Sequence, residues 1–134
     1  MKQHNWPTHL NRYILENLNT PFKWGEFDCC LFAANAVKAM TGEDYAAAFR
    51  GKYSTKAGAT KALSRYGAGT IKDTITQLLG EPQNTHPARG DVCLIETVNG
   101  PTAGIFLNGA VYCPSEAGLM AHKNNEVLAV WRID

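Results

Sequence analysis

Long apolar runs are missing from this chain: no stretch approaches the roughly 20 residues that a bilayer-spanning helix needs. The N-terminus, M-K-Q-H-N-W-P-T-H, also lacks the apolar stretch of a signal peptide. Both absences lead us to expect no membrane insertion, and synthesis and folding in a cytosol. An excess of one charge is missing too. Thirteen Lys and Arg stand against 12 Asp and Glu, for a formal net charge of +1, and no basic run is long enough to track a phosphate backbone. We expect no nucleic-acid partner. Metal motifs are the third absence. There is no C-x-x-C and no paired histidine motif, and the adjacent Cys29 and Cys30 would point about 100° apart on a helix. Neither a metal nor a cofactor is expected. Repeats, low-complexity tracts and linkers are absent as well, so residues 1–134 read as one domain.

What remains is an ordinary globular composition, 45% hydrophobic and 19% charged, which argues against disorder. The four cysteines, Cys29, Cys30, Cys93 and Cys113, are expected to be thiols in a cytosolic product.

The chain is organised around Thr20 to Met40, T-P-F-K-W-G-E-F-D-C-C-L-F-A-A-N-A-V-K-A-M. Asp28 suits a helix N-cap, because its carboxylate can accept from the N–H groups of the first turn. Behind it Cys29, Phe32, Ala36 and Met40 recur at helical spacing, and Thr41-Gly42 supplies a stop. A thiol at a helix start meets unpaired N–H groups and the positive end of the macrodipole, both of which stabilise a thiolate. Cys29 is therefore the leading candidate for chemistry. The other reading of Cys29 and Cys30 is that they are small buried core residues.

Around this stretch the periodicity predicts a helix over Pro7 to Leu18, with Leu10, Tyr13, Ile14 and Leu18 on one face. Further helical pieces are predicted over Asp44 to Phe49, over Thr55 to Tyr66 capped by Ser54, and over Ile71 to Leu79 capped by Thr70. Arg50 to Ser54 reads as a turn carrying solvated positive charge. Glu81 to Gly90 is an irregular divide. Strands are then predicted at Val92 to Thr97, Ala103 to Leu107, Ala110 to Cys113, Gly118 to His122 and Val127 to Ile133, with Asn99-Gly100 and Asn108-Gly109 as hairpin turns. Short links require antiparallel pairing. The fold class is α+β: a helical N-terminal half packed on an antiparallel sheet of about five strands. Trp131 reads as core.

The segment P-F-K-W-G-E-F-D-C-C-L resembles the P-Y-x-W-G-G … D-C-S-G-L signature of the NlpC-type, papain-like cysteine peptidases of the cell wall. P-A-R-G-D-V-C-L-I and T-A-G-I-F-L-N-G are similar to two strands of that family. W-G-E-F-D-C-C-L-F-A-A, T-G-E-D, R-G-K-Y, G-P-T-A-G-I and A-V-W-R-I resemble a branch of the superfamily encoded in bacteriophage and prophage tail-gene clusters, over nearly the whole chain. The resemblance implies a papain-like NlpC-type fold with Cys29 at the nucleophile position behind Asp28. It also implies departures: Phe22 falls at the tyrosine position, Thr102 at the general-base histidine position and Cys113 near the third polar position. His122 is the candidate for a recruited base. The function implied by the resemblance is that of a structural or assembly component of a phage tail tip, made in the bacterial cytoplasm and carried in the virion among other tail-tip proteins. The alternative is a tail-borne peptidoglycan hydrolase in which Cys29 attacks a stem-peptide amide. Acyl or thioester transfer by the same thiol is a third chemistry that such folds support.

Overall fold

In the computed structural model, which describes residues 1–134, four helices precede five strands. They are α1 (Trp6–Glu16), α2 (Cys29–Thr41), α3 (Lys56–Tyr66), α4 (Ile71–Leu79), β1 (Val92–Thr97), β2 (Gly100–Leu107), β3 (Ala110–Ser115), β4 (Gly118–His122) and β5 (Val127–Trp131). Every strand pairing is antiparallel, in the order β4-β3-β2-β1-β5. The expected α+β class and five-stranded antiparallel sheet are thus present.

β1 explains how the sheet is buried. Val92, Cys93, Leu94 and Ile95 are all apolar because both faces are covered. Val92 and Leu94 join Ala103, Ile105, Leu107 and Trp131 in the main core, together with Leu10 and Ile14 of α1 and Phe32, Ala36, Val37 and Met40 of α2. Cys93 and Ile95 point to the other face, where they meet Val111, Cys113 and Val130 in a smaller cluster. α2 is the spine of the helical layer. It lies against α1 on one side and against β2 and β3 on the other, with Phe32 stacked on Tyr13 and edge-on to Phe27. Trp131 is core, and its indole N–H donates to Thr76 Oγ1 at 3.3 Å, tying α4 to β5.

Several boundaries differ from those expected, each for a local reason. α1 stops at Glu16, two residues short of Leu18. Leu18 instead offers its carbonyl to Leu119 N, anchoring β4. Residues 45–50 form turns rather than a helix: Asp44 Oδ1 accepts from Ala46 N as a cap would, but Gly51, with φ of 75°, ends the segment after fewer than two turns. The cap of α3 is Thr55, which accepts from Gly58 N, and Ser54 lies outside the helix. Arg50 is not a solvated charge: it makes two bonds to Asp44 and one to Asn35 Oδ1.

The two Asn-Gly signals part company. Asn108 and Gly109 both have positive φ, 54° and 78°, and form the two-residue turn between Leu107 and Ala110. At the other hairpin Thr97 pairs with Gly100, so Val98 and Asn99 are the turn residues. β2 consequently begins three residues earlier than Ala103 and takes in Thr102. β3 runs on to Ser115, and β5 ends at Trp131 rather than Ile133.

Candidate functional site

Asp28 builds the site. It is 2% exposed and caps α2 by accepting from Leu31 N at 2.9 Å. Its second oxygen accepts from Gly25 N at 3.1 Å and from the Tyr53 hydroxyl at 2.5 Å. A buried carboxylate with three donors is fully committed to structure, and it fixes where α2 begins. Gly25 is needed here for two reasons. Its φ is +80°, and a Cβ would collide with the Tyr53 carbonyl. Burial, followed by the bond to Asp28, pushes the Tyr53 phenol far above its usual value, so it remains a donor.

Cys29 and Cys30, the first two residues of α2, stand with sulfurs 3.9 Å apart, and both are half-buried. The geometry alone allows either thiol to donate. The Ala103 N–H also favours charge on the Cys29 sulfur. Cys29 is therefore held below the ordinary thiol range, first by the Cys30 S–H and then by that backbone N–H, against the opposing effects of burial and Asp28. Cys30, the donor, is pushed up by the same bond and by burial. No histidine is among the groups acting on Cys29.

The other expected site residues lie around the same cavity, with no hydrogen bond from any of them to the Cys29 sulfur. The cavity, about 880 Å³, is lined by Phe22, Asp28, Cys29, Thr102, Cys113 and His122, along with many apolar side chains. Phe22 is edge-on to Trp24, and its N–H is bound to the Ser115 carbonyl. Thr102 is tied into its own hairpin, with its hydroxyl 3.0 Å from Thr97 Oγ1 and 3.1 Å from the Gly100 carbonyl. Cys113 is 1% exposed in the smaller core. Burial, and then Cys29 and Cys93, push its thiol far up. His122 pairs with Val111 at the end of β4, and no hydrogen bond joins it to Cys29. No three His, Cys, Asp or Glu side chains are grouped so as to hold a metal ion.

The gap that opens this site lies between β2 and β3. Their pairing covers only Ile105 to Leu107. Beyond it Pro114 brings no N–H, and the first half of β2, including Pro101, is free on that side. Gly104 closes the base of the gap, since a Cβ there would lie 2.7 Å from Cys113 Sγ.

Sequence patterns did not identify Cys30, Tyr53 or the Ala103 N–H as parts of the site. Tyr53 was signalled only by its place in R-G-K-Y. The Cys30 pairing had no signal beyond adjacency, and a backbone donor has none.

What fold and site define together is an α+β protein with a polarised thiol at a helix start, facing a cavity. Residues 1–133 match the family described as a domain of unknown function, DUF6950, and the chain belongs to that family. No curated protein matches it. No helix is long and apolar enough to cross a membrane.

Proposed function

We propose that this protein is a structural or assembly component of a bacteriophage tail tip, built on an NlpC-like peptidase fold whose hydrolytic machinery is incomplete. Two things support the reading. One is the run of motifs from W-G-E-F-D-C-C to A-V-W-R-I that resembles the phage-tail branch of that superfamily. The other carries the functional half: the position matching the family's histidine is Thr102, whose hydroxyl is bound to Thr97 and Gly100 and cannot take a proton near neutral pH. A helix cap and a partner thiol can stabilise a thiolate, but neither protonates a leaving amine. Element order is compatible with this plan, with the cysteine helix lying against β2 and β3. The partners on this reading are neighbouring tail-tip proteins, and the protein resides in the virion.

The lowered Cys29 thiol favours a second reading, a peptidoglycan hydrolase acting on stem peptides. One complementation experiment separates the two. A prophage lacking this gene should yield particles without functional tail tips, and the Cys29→Ala protein should restore them as well as the wild type does. Full infectivity without the gene would contradict the first reading, and restoration that requires Cys29 would favour the second.

A further inference from the structure

The largest unexplained feature lies where α2, α3 and α4 line one cavity. α4 is strongly amphipathic, yet its only fully buried residue is Thr74. Ile71, Ile75 and Leu79 are half-covered, and Leu78 is 38% exposed. α3 likewise buries only Ala62, with Leu63 and Ala59 half-covered. Ile71, Ile75 and Leu79 pack on the edge of the main core. They line the same cavity of about 880 Å³ as Leu31, Ala34 and Val37 of α2, and that cavity also contains Cys29 and Cys30. The α3–α4 hairpin is held in place without filling the space: Thr74 accepts from Ala68 N, and Thr76 accepts from Trp131.

The volume selects the occupant. At about 880 Å³ the cavity falls among small-ligand pockets, which run from about 300 to 1,000 Å³ and are mostly apolar with a few polar groups to fix orientation. Here the polar groups come from the start of α2 and the β2–β3 gap, whereas the walls from α3 and α4 are aliphatic. Leu31 N–H is taken by Asp28, which leaves the N–H groups of Cys29 and Cys30 without an intrahelical acceptor and able to donate to a carbonyl oxygen. The buried Asp28 carboxylate, which already opposes charge on the Cys29 sulfur, makes an anionic head unfavourable there.

We propose that the cleft between α2 and the α3–α4 hairpin binds a single aliphatic chain bearing an uncharged carbonyl head, with the chain between the helices and the head at Cys29. This ligand role goes beyond tail assembly and requires no turnover. The chain supplies the apolar surface that the half-covered Ile71, Ile75 and Leu79 lack. Each added methylene should tighten binding about threefold to fourfold until the cleft is full.

Calorimetric titration of the full chain with monododecanoylglycerol and monobutanoylglycerol tests this, since the two share a head and differ in chain length. The first should bind one to one, and at least 100-fold more tightly than the second. Ala59→Phe, which places a ring in the cleft, and Leu78→Glu, which puts a charge on its wall, should each weaken binding at least tenfold. Both positions are incompletely buried, so these variants should fold, and circular dichroism checks that they do. Saturating monododecanoylglycerol should slow iodoacetamide alkylation of Cys29 at least fivefold. Absence of saturable binding, equal affinity for the two glycerides, or binding that ignores both folded variants overturns the proposal. Binding without protection of Cys29 overturns the placement of the head. A dimer on size exclusion that Ala59→Phe disperses would make a second copy the occupant, and would overturn it too.

Discussion

Cys29 owes its character to its neighbours more than to its own position. A helix start favours a thiolate, but burial and Asp28 oppose it, and the balance is tipped by the Cys30 S–H and the Ala103 N–H. Cys30→Ala should therefore raise the pH midpoint of Cys29 alkylation and slow the reaction at pH 7 about twofold to tenfold. The change is smaller than the loss of thiolate alone, because a more basic thiolate is also more nucleophilic. Cys30→Ser, which keeps a donor, should fall between the two; iodoacetamide kinetics with peptide mapping provide the measurement. Gly25 is the second residue that decides the site. Gly25→Ala must either adopt φ near +80° or push Tyr53 away from Asp28. It should cost about 1–3 kcal/mol in urea unfolding. Neither role follows from residue type alone: a glycine in W-G and a tyrosine 28 positions on look unrelated until Asp28 Oδ2 accepts from both.

At the scale of elements, α2 was legible because its cap, periodicity and glycine stop all agree. The same holds for α4 and for the Asn108-Gly109 hairpin. The misplacements arose where local signals competed. Ala46 to Ala48 have good helix propensity, but Gly51 at positive φ ends the segment fewer than two turns after Asp44, and only turns form. Gly100 looked like half of a turn because Asn-Gly is a strong signal, yet the pairing of Thr97 with Gly100 put Val98 in the turn and drew Thr102 into β2. The Asp44–Arg50 link is itself testable. Its bond to Arg50 holds the Asp44 carboxyl below the usual range. Because the folded pKa is depressed, the stabilisation is present above the unfolded value near 4 and is lost as pH falls through the folded one. Asp44→Asn should thus cost about 0.3–1 kcal/mol at pH 7 and almost nothing well below pH 3, as read from urea midpoints at the two pH values. Phe32→Ala belongs at this scale too. It removes the ring that α2 stacks on Tyr13 and Phe27, and should cost about 3–5 kcal/mol.

For the whole molecule, the α+β arrangement could be read from the change of period near residue 90, from 3.6 to 2, and from the short links between strands. The cavity could not. Apolar residues of α3 and α4 look like core in sequence, and only the three-dimensional placement of the hairpin leaves Ile75 and Leu79 half-covered at the cavity wall. The candidate site was half legible. Asp28, Cys29 and Thr102 carried signals in the sequence, while the contacts of Cys30 and Tyr53 emerged only from distances.

At the candidate site stands a polarised thiol with no histidine hydrogen-bonded to it. Its most direct test is purified protein on isolated peptidoglycan, wild type beside Cys29→Ala, with soluble fragments read by mass spectrometry. We predict no stem-peptide release from either protein, even though Cys29 of the wild type alkylates below the ordinary thiol pH. Release by the wild type that disappears in Cys29→Ala would contradict this.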